Sequence, residues 1–426
     1  MRALEKLART TEPDRAGPVL ALEKLVRTTE PGRAGPVRAL EKLARTTEPG
    51  RADPVRACCK LAGASRVTIA LDGTPLTVST GGVARYTSEL ARALAAEFPE
   101  DRYWLLSDQI LPSPVSFQSN LQMGSQPQTT AERKWWLFGI NREMSRRGVD
   151  LFHGTDFSVP YLPQRPSVMT VHDISPWAHR RGRDDWQPDA GRVRRRTPVL
   201  LRLGLARMVI TPSEAVRREV IARFRLRPDR IVAVPLAASG VFRRVEQPRL
   251  EQPPAKPYFL FVGTLEPRKN IGRLIEAWRE VRTSHEVDLV LAGRLRSDFP
   301  APAAEPGLRV LGAVPEAELP LLYSGALACV YPSLYEGFGL PVLEAMQCGA
   351  VVVTSRDPAI MEVSGSAAIA VDAMDTRALA EALAAVARAP ENFADLRERA
   401  VARAAQFSWQ RTARRTREVY EAALAL

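Results

Sequence analysis

The chain has 426 residues, 45% of them apolar and 25% charged, which allows two sizeable cores and excludes an intrinsically disordered protein. Its net charge of +12 favours anionic partners: nucleotide phosphates, nucleic acid or an acidic membrane surface. The best membrane-span candidate, residues 198–210, is broken by Arg202 and Arg207 and falls short of the roughly 20 apolar residues that a span requires.

The chain opens on a repeat. ALEKLART begins at Ala3, ALEKLVRT at Ala21 and ALEKLART at Ala39, with a degraded ACCKLAG at Ala57, 18 residues apart each time. Each unit reads as a helix of two turns followed by a Gly/Pro breaker, too short to be stable alone in water. Residues 1–62 are therefore expected to be a tandem expansion, disordered or loosely helical, without a catalytic role; a helical interaction arm is the rival reading. No unbroken apolar stretch marks a signal peptide at the N-terminus, and a cytoplasmic protein is expected. Of the four cysteines, Cys58 and Cys59 are neighbours, and Cys329 and Cys348 read as buried thiols. None has metal-ligand spacing.

Ordinary globular sequence starts near Arg66. VTIAL reads as a buried strand, and a helix beginning near Gly82 presents Val83, Tyr86, Leu90 and Leu94 on one face. RYWLLS, DLFH, SVMTVHD, MVIT and RIVAVP are further strands, with a helix over residues 131–147 and another behind an N-cap at Ser213. Residues 246–257 are polar and Pro-rich, a linker between domains. The alternation restarts with YFLFVG, a helix from Asn270, and the strands VDLVLAG, LRVLG, ALACVYPS and AVVVTS. Residues 408–426 read as a last helix. Alternating strands and helices make this an α/β protein with one parallel sheet in each half, over residues 66–245 and 258–407.

Candidate site residues fall at strand ends. Gly81 and Gly82 offer bare backbone beside a helix N-terminus, where a phosphate or sugar can approach, although such pairs are commonly plain turns. Gly263 ends the first strand of the second half, and Arg268 and Lys269 follow at its carboxyl end, where two cations suit a diphosphate. Glu336-Gly337-Phe338-Gly339 form a loop after VYPS. Glu344 lies eight residues past Glu336 in the following helix, and ionised carboxylates accept well from sugar and ribose hydroxyls. His153 and His172 close strands in the first half, with Asp173 next to the latter. His172 reads as a group near a sugar hydroxyl or acceptor, and His153 equally as a buried structural histidine. Arg180, Arg181, Arg183, Arg192, Arg194, Arg195, Arg196 and Arg202 crowd one segment with Trp177 and Trp186, either a solvated face or a surface for an anionic bilayer.

The segments GGVARYTSELARAL, VHDISPW, TPSEAVRREV, YFLFVGTLEPRKNIGRLIEAW and VYPSLYEGFGLPVLEAMQCGAVVVTS resemble the family 4 glycosyltransferases, and among them the bacterial mannosyltransferase-like group of polysaccharide assembly. The likeness runs from about Arg66 to the end. It implies a GT-B fold, two Rossmann-like domains facing a cleft. It further implies retaining transfer of a hexose, mannose above all, from a nucleotide sugar to a glycan or lipid-linked acceptor, with no metal and no other cofactor. GDP-mannose is the donor expected by resemblance, and a peripheral place at the inner face of the plasma membrane the expected location. Position by position, Glu336 would contact the donor sugar and Glu344 the ribose. Arg268 and Lys269 would hold the diphosphate, Gly81 and Gly82 would close over it, and His172 would stand near the reacting sugar. Gly263, Gly337, Phe338 and Gly339 complete the donor side, and His153 and Asp173 the acceptor side. VPLAASGVF departs from the family's usual Pro-x-Gly-Val turn, which puts the interdomain hinge in question. A non-catalytic partner of an assembly complex is the alternative, and no zinc spacing or aromatic-plus-basic signature supports nucleic-acid binding.

Overall fold

Short runs of unbroken apolar residues, such as YFLFV and ACVY, suit strands covered on both faces, and parallel sheets supply such a place. In the computed structural model, residues 66–77, 81–111, 118–177, 190–246 and 256–426 are described. The repeats with Cys58 and Cys59, most of the Pro-rich linker, and Arg180, Arg181, Arg183 and Trp186 lie outside them.

The first sheet takes β1 (Thr68–Asp72), β2 (Arg102–Leu106), β3 (Leu121–Met123), β4 (Leu151–Gly154), β5 (Ser167–Thr170), β6 (Met208–Thr211) and β7 (Ile231–Ala233) in the order β3-β2-β1-β4-β5-β6-β7. Every pairing is parallel. Its helices include α1 (Gly82–Glu97), α2 (Ile140–Arg147), α3 (Gly191–Arg202) and α4 (Glu214–Phe224). Tyr86, Leu90 and Leu94 of α1 are buried, as their spacing predicts, whereas Val83 is half-buried. The helix expected over residues 131–147 instead begins with a wide π turn, Trp135–Gly139, before α2. A Cβ on Gly139 would lie 2.1 Å from the Glu132 carbonyl oxygen, so the turn closes only around glycine.

The second sheet takes β8 (Tyr258–Val262), β9 (Asp288–Ala292), β10 (Leu308–Gly312), β11 (Ala328–Tyr331), β12 (Val352–Ser355) and β13 (Ile369–Val371) in the order β10-β9-β8-β11-β12-β13. Around it lie α5 (Ile271–Val281), α6 (Leu319–Gly325), α7 (Leu340–Gln347), α8 (Pro358–Ser364), α9 (Thr376–Arg388) and α10 (Ala394–Ala404). Both sheets are doubly wound and Rossmann-like, reversing strand order at β1/β4 and at β8/β11.

The last helix, α11 (Trp409–Ala425), packs on α1, β5 and β6 of the first sheet. Arg417 Nε donates to Asp101 Oδ2 at 2.7 Å, with both side chains buried. Residues 67–426 form one compact unit, and a continuous apolar cluster runs through both halves.

Candidate active site

Open parallel sheets bind ligands where strand order reverses, because the loops leaving the two central strands part there and open a crevice. In the second sheet those strands are β8 and β11. The loop after β8 carries Arg268 and Lys269, and the loop after β11 carries Glu336. The fold brings the three together. Arg268 Nη1 donates to Glu336 Oε2 at 2.9 Å, and Lys269 Nζ to Glu336 Oε1 at 2.5 Å. Their side chains are only 12%, 7% and 8% exposed. Arg268 also donates to the Tyr335 carbonyl at 2.9 Å and to Glu266 Oε1 at 2.7 Å, while Arg296 braces the other oxygen of Glu266. Lys269 donates to the Tyr331 hydroxyl. The backbone N–H of Glu336 donates to Asp357 Oδ2 at 3.2 Å, which fixes the loop from behind.

Burial pushes the Glu336 carboxyl up, but the charges of Arg268 and Lys269 outweigh it and hold the group at about 2. Burial and then the neighbouring Arg268 charge pull the Lys269 ammonium below the usual lysine range. Arg268, Lys269 and Arg296 thus face the buried carboxylates of Glu336 and Glu266, with the half-exposed Asp298 on Arg296. Cations so placed at the crevice can bind an anion.

Glu344 stands apart from this cluster. It is 1% exposed, its Oε2 accepts from the Tyr323 hydroxyl at 3.0 Å, and its Oε1 accepts from Arg85 of α1. Burial raises its carboxyl above the usual range despite Arg85. Gly263 is half-buried at the end of β8. Gly339, with φ 99°, precedes α7. The Phe338 ring lies in the core against Phe407, 5.9 Å between centroids.

From the first half, His172 reaches the same loop. A Cβ on Gly337 would lie 2.1 Å from the His172 carbonyl oxygen, so the two backbones touch only because residue 337 is glycine. His172 Nε2 lies 2.8 Å from the Thr155 carbonyl, which can only accept, so Nε2 carries the proton. Asp173 Oδ1 accepts from the backbone and hydroxyl of Ser175 and shapes the turn there. Gly81, with φ 142°, and Gly82 are exposed at the start of α1. His153 corrects an expectation. It is wholly buried, with Nδ1 2.7 Å from the Tyr420 hydroxyl and Nε2 2.8 Å from Thr170 Oγ1, so neither nitrogen faces a ligand. Sequence reasoning missed Arg85, Glu266, Arg296, Tyr323 and Asp357. Of these, Glu266, two residues before Arg268, and Arg85, within GGVARYTSELARAL, stood inside segments already singled out. Among the described residues no group of three or more His, Cys, Asp or Glu is placed to hold a metal ion.

The profile described as Glycosyltransferase Family 4 matches residues 80–239, and that described as Glycosyl transferases group 1 matches residues 242–406. O-antigen chain mannosyltransferase B of Escherichia coli is 34% identical over 64% of this chain and 74% of its own length. An MMP alpha-(1->4)-mannosyltransferase of Mycolicibacterium hassiacum is 32% identical over 55% of this chain and 56% of its own. Among solved structures, sucrose-phosphate synthase of Thermosynechococcus elongatus superposes with a TM-score of 0.66 at 21% identity, covering 84% of this chain and 100% of that one. HepE of Anabaena in complex with UDP and glucose does so with a TM-score of 0.64 at 17% identity, over 84% and 100%. The sequence matches cover both Rossmann-like halves and the loops that carry Arg268, Lys269, Glu336 and Glu344, and the chain belongs to the family 4 glycosyltransferases, as a glycosyl-transferring enzyme of GT-B fold.

Proposed function

We propose that the enzyme moves a mannosyl group, with retention, from GDP-mannose to a glycan or lipid-linked acceptor in the assembly of a cell-surface polysaccharide. The observation that carries the reading is the buried cluster that sets Arg268 and Lys269 side by side on the Glu336 carboxylate. It supports a diphosphate beside the two cations, with Glu336 against the donor sugar and Glu344 against the ribose. The mannosyl preference rests on the names of the relatives.

In this reading the departing nucleoside diphosphate develops negative charge as the glycosidic bond breaks. Arg268 and Lys269 stabilise it where they already stand, so little reorganisation is needed at the moment of reaction. His172 approaches from the other half with its Nε2 proton fixed on Thr155, which leaves Nδ1 for a sugar or acceptor hydroxyl. Contact between the halves at Gly337 and His172 keeps water from the donor. α3 exposes Val199 (53%), and Leu203 (65%) is exposed just past its end; with Arg192, Arg195 and Arg196 they line a groove of about 380 Å³. Basic and apolar groups mixed in this way suit peripheral contact with an anionic bilayer. Among the described residues no helix is long and apolar enough to cross a membrane.

The test is a transfer assay with GDP-mannose, UDP-glucose and ADP-glucose as competing donors. GDP-mannose should be consumed fastest. Lys269→Ala should lose about 100-fold in kcat, corresponding to about 3 kcal/mol, with an unchanged circular dichroism spectrum. A clear preference for UDP-glucose would overturn the donor assignment, and full activity of Lys269→Ala would overturn the diphosphate site.

A further inference from the structure

Arg85 stands in the first turn of α1, three residues past Gly82, yet its guanidinium reaches into the other half of the molecule. Nη1 donates to Glu344 Oε1, and Nε lies 3.4 Å from Glu316 Oε1 in the loop between β10 and α6. The guanidinium carbon is 5.5 Å from the ring centroid of Phe242, in the chain segment between β7 and β8. Arg85 is 23% exposed, whereas the Glu344 carboxylate beneath it is 2% exposed and has its second oxygen on Tyr323.

A buried carboxylate needs donors on both oxygens, and the neutral Tyr323 hydroxyl serves only one. At Oε1 two kinds of donor fit: the guanidinium of Arg85, or the hydroxyls of a vicinal diol such as a ribose. Arg85 fills the space at Oε1, where the Glu344 side chain is only 2% exposed, so a diol that reaches this oxygen must displace it. We propose that Arg85 is a gate on the ribose site: it must leave Glu344 before the donor's ribose can be held, and its departure breaks a contact between the two halves, so that ribose recognition and domain movement become one event. This inference rests on reading Glu344 as the ribose acceptor. It adds a residue from the opposite half whose loss should strengthen, not weaken, the grip on the nucleoside.

Calorimetric titration of the full chain with guanosine, uridine and adenosine 5′-monophosphates identifies the monophosphate that binds best. Arg85→Gln should then bind it three- to tenfold more tightly than the wild type, and Arg85→Lys, which keeps the charge on a shorter reach, should fall between. The gain should vanish with the 2′,3′-dideoxy monophosphate, which lacks the competing hydroxyls. Equal or weaker binding by a folded Arg85→Gln, with Glu344→Gln clearly weakened, would overturn the gate and leave the ribose site standing. Unchanged binding by Glu344→Gln would overturn the ribose site and the gate together.

Discussion

His153 titrates in a way that its surroundings dictate. It is fully buried between Thr170 and Tyr420, and burial, aided by the charge of His172, pushes its imidazole from 6.5 down to about 3. The unfolded chain therefore binds a proton between these limits that the folded chain refuses. The stability this histidine confers is complete above about pH 6.5 and drains away as the pH falls toward about 3. Urea unfolding at pH 7 and pH 5 should show the wild type losing about 2 kcal/mol more than His153→Gln across that interval, because the variant has no proton to take up. Equal losses would mean that His153 is charged in the fold. The same residue marks a limit of sequence reading. His153 and His172 both close a strand, and nothing local separates a structural histidine from one beside the site. The separation comes from Tyr420, 267 residues away. Arg268, Lys269 and Glu336 were legible because each sits within a few residues of a strand end, where topology alone makes a crevice. Arg85 was not, since its partner lies 259 residues on.

At the scale of elements, α11 was visible in the sequence as a helix, but not its destination. It leaves the second half and packs on the first through a buried ion pair, Arg417 with Asp101. Asp101 also accepts from the Val67 backbone at 2.8 Å, tying the start of β1 to the same point. Asp101→Ala would leave a buried guanidinium with only the half-exposed Glu421 and orphan the Val67 N–H. Removing one partner of such a pair costs about 3–5 kcal/mol, measurable by urea unfolding, and amides of α11 should exchange faster. A loss under about 1 kcal/mol, the range of a surface pair, would show that the helix is held by its apolar face alone. The strands were readable because their apolar runs are short and bounded by turn residues. α8, α9 and α10 went unread: α8 spans only seven residues, and the buried faces of α9 and α10 carry few large apolar residues, Leu379, Leu383 and Val386 in α9 and Leu396 in α10, among alanines. The strand β3, three residues long, carries too little pattern to detect.

At the scale of the molecule, the two halves share an apolar cluster and, around the site, a few polar contacts. Arg85 holds Glu344, Ser213 Oγ donates to the Gly337 carbonyl at 2.8 Å, and the Tyr335 hydroxyl bridges the Ile174 N–H and Glu219. Glu362 of α8 supplies a fourth. Its two carboxylate oxygens accept from the backbone N–H groups of Glu214 and Ala215 at 2.8 and 2.7 Å, so a side chain of the second half caps the N-terminus of α4 in the first. Helix N-termini carry free N–H groups and partial positive charge, which makes a carboxylate there worth about 1 kcal/mol or more. Glu362 lies outside the cation cluster, so Glu362→Ala should leave donor binding close to normal while loosening the joint between the halves. Hydrogen exchange at Glu214 and Ala215 should quicken, because their acceptor is gone. Water should then reach the donor more often, and hydrolysis of the nucleotide sugar should rise relative to transfer to the acceptor. If exchange quickens but the ratio of hydrolysis to transfer holds, Glu362 is a helix cap without a part in closure. If neither changes, the contact between α8 and α4 is replaced as soon as the carboxylate is lost.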